Sequence, residues 1–416
     1  MRRFYTIALF LLLPRALLHL LWRARRQRGY VHNVAERFGV YSGAVGQPVI
    51  WLHAVSVGET RAAQPVIRML RARHPDHHIL LTHMTPTGRE TGQQLFGDSV
   101  SQCYLPYDLP WAVARFLDHF RPSAGLIMET EIWPNLIHAC AARGIPCYLV
   151  NARLSEKSFR GYRRFGSLAR QTLEALTAIS AQAASDAQRL TALGARNVHV
   201  TGNVKFDIAP PEAMVALGRQ WRSAYGETRP VLLAASTRDG EEALILACLR
   251  DVDMPEPLTV IVPRHPQRFE EVAQLVGKHG FRLQRRSENA RIAPETQVLL
   301  GDSMGEMFAY YAACDVAFVG GSLLPYGAQN LIEACAVGTP VLIGPSSFNF
   351  TEAAEGAVAA GAAIRVTDAA ALAREAQRLL RDRDARERMS RAGLAFCALH
   401  RGATARVLDL ITLRSS

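Results

Sequence analysis

The chain has no C-x-x-C pair and no Cys/His cluster at zinc-binding spacing. Its seven cysteines (Cys103, Cys140, Cys147, Cys248, Cys314, Cys335 and Cys397) are scattered through apolar contexts. An odd, dispersed set predicts reduced, buried thiols in a cytosolic compartment and argues against a disulfide framework or a structural metal. No G-x-x-x-x-G-K-[ST] loop occurs, and no G-x-G-x-x-G follows an early strand, which disfavours a Walker-type ATPase and a dinucleotide oxidoreductase. Tandem repeats and low-complexity tracts are also missing.

Acidic residues are absent from the first 35 positions, where seven arginines (Arg2, Arg3, Arg15, Arg23, Arg25, Arg26 and Arg28) precede Glu36. The formal net charge of +11 is therefore largely local, and the rest of the chain is only mildly basic. That distribution predicts no nucleic-acid partner. The arginines flank the apolar run Phe4 to Trp22, interrupted by Pro14, Arg15 and His19. A bilayer span needs ~20 apolar residues, so the run suits a short span or a helix lying in the interface. No small-x-small cleavage site follows it. Residues 1–28 are expected to be an uncleaved anchor at a membrane surface. The arginines after Trp22 would keep the remainder on the cytoplasmic side and attract anionic lipid.

At 416 residues, 49% hydrophobic and 20% charged, the chain is globular and long enough for two or three domains. Short apolar runs alternate with helical patterns: "PVIWLHAV", "HILLTHMT", "SQCYLPYD", "AGLIMETE", "IPCYLVNA", "LTAISAQ" and "NVHVTGNV" read as strands. Continuous apolar strands suit a parallel sheet covered on both faces. A proline-bearing stretch, "FDIAPPEAM", interrupts the rhythm, which restarts with "PVLLAAST", "LTVIVPRH", "TQVLLGD", "VAFVGGS", "TPVLIGP" and "AAIRVTD". The prediction is an α/β chain with two Rossmann-like, doubly wound lobes and a cleft between them. Residues 29–207 would form the first lobe, 208–228 a linker, 229–385 the second lobe and 386–416 C-terminal helices.

Ligands of such sheets bind beyond the carboxyl ends of the strands. In the first lobe those ends carry carboxylates: Glu59 in "HAVSVGET" and Glu129 and Glu131 in "METEIWPN", with Lys205 in "TGNVKFD". Carboxylates suit proton removal from a hydroxyl group. Ser56-Val57-Gly58-Glu59 also fits a helix capping box, so on local sequence Glu59 is a cap or a base in equal measure. The second lobe carries Arg264 and His265 after "VIVP", then Met304-Gly305-Glu306 and Asn330 to Glu333 ahead of helices. Helix N-termini with an arginine nearby suit a phosphate. Glu306 and Glu333 could equally serve the helix dipole alone, and His53 and His265 read as structural.

These residues, together with "YLPYDLP", "NARLSEKSFRGY", "PRHPQRF", "FVGGSL" and "GPSSFNF", resemble the 3-deoxy-D-manno-octulosonic acid (Kdo) transferases, from the anchor nearly to the C-terminus. The resemblance implies a GT-B fold and an inverting glycosyltransferase of lipopolysaccharide biosynthesis. Such an enzyme moves Kdo from CMP-Kdo to a lipid A precursor (lipid IVA) at the cytoplasmic side of the cell inner membrane. It implies no metal and no cofactor. By the same resemblance Glu59 is the general base, while Glu129 and Lys205 stabilise the transition state. CMP would be held by Pro263, Arg264, Met304, Gly305, Glu306, Asn330, Leu331, Ile332 and Glu333. The chain departs from the family at one motif, having Gly327-Ala328-Gln329-Asn330 where members commonly read Gly-Gly-His-Asn. A UDP-sugar transferase or nucleotide-sugar epimerase of the same fold is the alternative enzyme. A membrane-tethered nucleotide-binding scaffold without turnover is the alternative outside enzymes.

Overall fold

The computed structural model describes residues 1–25, 28–43, 46–249 and 257–414; Arg26 of the expected anchor lies outside them. The chain divides into two compact units, Met1–Ile208 with Arg401–Ser416, and Ala209–His400.

Unit 1 is built on seven parallel strands: β1 (Val49–His53), β2 (His78–His83), β3 (Ser101–Tyr104), β4 (Ala124–Met128), β5 (Cys147–Ala152), β6 (Ala178–Ala181) and β7 (Val198–Val200). Their order is β3-β2-β1-β4-β5-β6-β7. Every residue of β1, β4 and β5 is buried, because helices cover both faces. Trp51 fills the centre, donating Nε1–H to Thr82 Oγ1 at 2.7 Å. Gly125 makes room for it: a Cβ there would lie 2.6 Å from the indole ring. Strand β1 lies between β2 and β4, so the connections diverge there and open a crevice at the carboxyl ends of β1 and β4.

Unit 2 repeats the plan with β8 (Val231–Thr237), β9 (Leu258–Pro263), β10 (Leu283–Arg285), β11 (Val298–Leu300), β12 (Val316–Val319), β13 (Val341–Ile343) and β14 (Ala363–Arg365). The order is β10-β11-β9-β8-β12-β13-β14, again parallel, and the divergence falls between β8 and β12. All thirteen strands read from the sequence are present. The additional strand, β10, is a half-buried edge whose polar residues carry no continuous apolar signal.

Two boundaries differ from expectation. Most of the expected linker 208–228 is a helix, Glu212–Tyr225, packed in unit 2 against the helix Met307–Ala313. Gly218 permits the close approach, since a Cβ there would lie 2.4 Å from the Ala309 carbonyl oxygen. The paired prolines stand just before this helix and do not break a fold element. The expected C-terminal segment 386–416 is divided between the units. The helix Arg383–His400 packs in unit 2 on the helix Ile332–Val337. Beyond it the chain returns to unit 1, where the Asp207 carboxylate accepts from the Gly402 and Thr404 N–H groups at 2.6 Å each. The seven cysteines are all thiols, five of them buried.

The helix Arg2–Ala24 is long and apolar enough to cross a membrane. It exposes Phe4, Ile7, Phe10, Leu11, Leu12, Leu18, Leu21 and Trp22. Near its start, Tyr5 donates its hydroxyl to Asp108 at 3.0 Å, and Thr6 bonds Asn135. Near its end, Arg23 lies 5.0 Å over the Tyr30 ring. The start of the helix is therefore bonded to the folded body of unit 1, while the contact near its end is to the turn that directly follows it.

Candidate active site

In unit 1, β1 ends at His53 and a helix begins at Val57 with Ser56 as its N-cap. Ser56 Oγ accepts from the Glu59 N–H at 3.4 Å, while Glu59 Oε2 accepts from the Val55 N–H at 2.5 Å. The glutamate thus reaches one residue beyond the ordinary capping box, which would return to Ser56 itself. Thr85 Oγ1 donates to the Val55 carbonyl at 2.9 Å and fixes the turn from behind. Cap and base therefore divide between the two oxygens: Oε2 serves the turn, and Oε1 takes no hydrogen bond from the described residues.

Burial, reinforced by the neighbouring Glu129 charge, pushes the Glu59 carboxyl up to about 8. Glu131 adds to the rise, whereas the Val55 N–H and Lys205 oppose it. Burial outweighs these opposing interactions. A group poised near 8 is mostly protonated at neutral pH and accepts a proton readily once ionised.

Glu129 follows β4 with φ +59°, a left-handed conformation that costs a non-glycine residue of order 1 kcal/mol or more. Its N–H is held by the Val150 carbonyl at 2.9 Å, and its Oε1 lies 2.7 Å from Lys205 Nζ. Both side chains are only 12–13% exposed. Burial alone would raise the Glu129 carboxyl, but the Lys205 ammonium, with Arg153 behind it, holds it below the usual value. Glu131 is raised, chiefly by burial. Lys205 sits past β7 in the turn Val204–Asp207, not on the strand itself. Asn151, buried at φ +55° where β5 slips register against β6, accepts from the Val204 N–H at 3.1 Å and anchors that turn. Asn151 opens the stretch "NARLSEKSFRGY", but its anchoring role was not legible there, because its partner is 53 positions away. His53 is fully buried and pushed down to about 3 by burial, with His83 adding to it; it is a structural neutral imidazole.

In unit 2, Pro263 ends β9 and Arg264 follows it, with its Nε donating to Gln329 Oε1 at 3.2 Å. Gln329, where the family pattern has histidine, thus orients the arginine. Ala328, where the pattern has glycine, is held at φ +64° with its N–H on the Gly321 carbonyl at 2.7 Å. Asn330 Oδ1 accepts from the Ile332 N–H and its Nδ2 donates to Glu333 Oε1, each at 3.1 Å. Leu331 and Ile332 bury their side chains, so only their backbone is available to a ligand. Met304 is exposed, and Gly305 turns the chain at φ +85° into the next helix. Glu306 Oε1 pairs with Arg286 at 3.1 Å, and Arg286 lies 4.6 Å over the Trp221 ring. The sequence offered no hint of a further group, Glu241. Its carboxylate is fully buried and accepts from the Gly321, Leu323 and Arg238 N–H groups at 2.6–2.9 Å, joining the ends of β8 and β12.

Among the described residues no group of three or more His, Cys, Asp or Glu side chains is arranged to hold a metal ion.

Residues 32–208, which include Glu59, Glu129 and Lys205, match the family model described as 3-deoxy-D-manno-octulosonic-acid transferase (kdotransferase). Residues 272–395 match glycosyl transferases group 1. A 3-deoxy-D-manno-octulosonic acid transferase of Bordetella pertussis is 45% identical over 99% of this chain and 98% of its own. The chain belongs to the Kdo transferase family. A second relative of that description, from Haemophilus influenzae, is 38% identical over 99% of this chain and 98% of its own. Like them, this Kdo transferase family member is an enzyme, a glycosyltransferase. Its fold is of the GT-B type. A UDP-GlcNAc 2-epimerase from Neisseria meningitidis shares that fold with a TM-score of 0.59 at 16% identity, covering 87% of this chain and 99% of the other.

Proposed function

We propose that the enzyme transfers Kdo from CMP-Kdo to a lipid A precursor (lipid IVA) in lipopolysaccharide biosynthesis, with inversion at the anomeric carbon and Glu59 as general base. The observation that carries this reading is Glu59 itself: one oxygen committed to its own turn, the other without a partner among the described residues, and a proton affinity raised to about 8.

Glu59 takes the acceptor hydroxyl proton as that oxygen bonds to the anomeric carbon, and the bond to the CMP phosphate breaks with its electron pair on CMP. The transition state has oxocarbenium character, which the Glu129 carboxylate stabilises. Lys205 offsets the charge on departing CMP or the Kdo carboxylate. Unit 2 holds CMP, with Arg264, oriented by Gln329, on the phosphate and Glu333 on the ribose. No step calls for a metal or a cofactor.

The anchor helix lies in the membrane interface on the cytoplasmic side of the inner membrane and does not span it. Tyr5, at the start of the helix, donates to Asp108 in the folded body of unit 1, although it lies roughly 27 Å of helix at 1.5 Å per residue from Arg23, where the chain leads into that body. A span would carry Tyr5 to the far leaflet and break its bond to Asp108.

Mass spectrometry of the product from CMP-Kdo and a tetra-acylated lipid A precursor in detergent tests the reaction. A Kdo-bearing product is expected. Absence of product, or protection of the enzyme by UDP rather than CMP, overturns the assignment.

A further inference from the structure

We infer that Arg238 is a second donor-binding cation, contacting anionic oxygens of the sugar nucleotide beside Arg264; the inference rests on the donor-binding reading of unit 2.

Arg238 follows β8, the strand from which the connections of unit 2 diverge, at the sheet edge where ligands of such folds bind. The backbone leading to it is specialised. Ser236 is held at φ +56°, and the pairing of β8 with β9 slips between Ala235 and Thr237. Strain at a non-glycine residue persists where the surrounding structure enforces it, commonly at ligand sites.

The guanidinium stands without an acid although three acids follow within four residues. Asp239 pairs with Arg268 at 3.4 Å. Glu241 spends its carboxylate on three backbone N–H groups. Glu242 is bound by Arg268 at 2.7 and 3.1 Å and by the Thr237 hydroxyl at 2.6 Å. Arg238 instead rests on the Tyr326 ring at 4.7 Å, and no carboxylate lies within ion-pairing distance of it among the described residues. A half-buried arginine in such company loses hydration without recovering an ion pair, which suits a cation whose anion arrives with the ligand.

Arg238 is also next to the expected phosphate contact. A Cβ on Gly321 would lie 3.4 Å from Arg238 Cγ and 3.1 Å from Gln329 Nε2, so the bare glycine seats both side chains together. Gln329 in turn holds Arg264. The local field is positive: His265 is lowered by burial first, then by Arg238, Arg264 and Arg268. Two arginines that both neighbour Gln329 match a donor bearing both a phosphate and a carboxylate. Arg238 was not marked by any motif, because its significance lies in which acids decline to pair with it.

The test is titration of CMP and CMP-Kdo into the full-length enzyme in detergent, with steady-state kinetics, for wild type, Arg238→Ala and Arg238→Lys. The expected result is a rise in donor KM of about ten- to a hundredfold for Arg238→Ala, partly restored in Arg238→Lys, with an unchanged melting temperature. If CMP affinity falls in parallel, the contact is to the phosphate; if only CMP-Kdo weakens, it is to the Kdo carboxylate. Wild-type donor affinity in Arg238→Ala overturns the inference alone, as does a lowered melting temperature with unchanged KM, which would make the Tyr326 stack purely structural. A wild-type enzyme that binds neither CMP nor CMP-Kdo overturns the donor reading and this inference together.

Discussion

Lys205 Nζ lies 2.7 Å from Glu129 Oε1, tying the turn after β7 to the end of β4 across 76 residues of sequence. The pair keeps Glu129 ionised although it is nearly buried, and the Glu129 charge in turn raises Glu59. Three positions far apart in the chain thus share one electrostatic setting, which makes their substitutions interdependent.

Neutralising Glu129 should move the acidic limb of the kcat/KM profile. In the wild type that limb is expected near pH 8, with activity rising as Glu59 ionises. Glu129→Gln removes the charge that raises Glu59 and releases Lys205, and both changes lower its proton affinity. The limb should shift to lower pH while maximal turnover falls. A profile left in place would mean that the limb does not belong to Glu59.

Glu59→Gln separates the cap from the base. The amide oxygen still accepts from the Val55 N–H, so the turn survives, but it cannot take a proton. Turnover should fall by about 10²–10⁴-fold with CMP affinity nearly intact. Stability carries an independent signature. The folded carboxyl has its proton affinity raised from 4.5 to about 8, so wild-type stability is lost as pH rises through that interval. The variant lacks this loss, and its melting temperature relative to wild type should climb between about pH 4.5 and 8, then level. Near-normal turnover in the variant sinks the base assignment; a flat difference in melting temperature sinks the burial argument.

Ser56→Ala removes only the hydroxyl that accepts from Glu59 N–H at 3.4 Å. A bond that long predicts a cost at the low end of the N-cap range, about 0.5–1 kcal/mol, read as a modest drop in melting temperature. A collapse of folding would show that the turn depends on Ser56 more than its geometry indicates.

Ala328→Gly should be neutral or stabilising by up to about 1 kcal/mol. Ala328 occupies a left-handed conformation, and glycine relieves it at some cost in chain entropy. Gly218→Ala should destabilise by about 1–3 kcal/mol, because the added methyl meets the Ala309 carbonyl and Ala312. Denaturant titration of both variants checks the signs.

A cysteine placed at Arg3 should react with a membrane-impermeant maleimide from the cytoplasmic side in inverted vesicles, as an in-plane anchor requires. Reaction only from the opposite side would establish a span and dissolve the Tyr5–Asp108 contact.

Much of the architecture was legible in the chain itself. Apolar runs such as "PVIWLHAV" and "AGLIMETE" could only be strands covered on both faces, since continuous hydrophobicity over so short a length has few other uses in an alternating βα pattern. The polar residues at their carboxyl ends followed from the same rhythm. Local grammar failed where a partner was distant or a signal weak. The prolines at 210 and 211 resembled a linker but precede a helix whose packing on Met307–Ala313 is a tertiary matter. Strand β10 carries a single apolar residue, Leu283, because it is an edge.

Sequence alone determined which residues stand at the strand ends and which family the motifs resemble, because those properties are carried by short, contiguous patterns. Tertiary structure decided how each side chain is used. It turned one oxygen of Glu59 onto Val55, joined Lys205 to Glu129, and left Arg238 without an acid among neighbours already engaged. Hydrogen bonds and charge pairs act over a few ångströms in space, and no spacing along the chain records which groups the folded sheet brings within that reach.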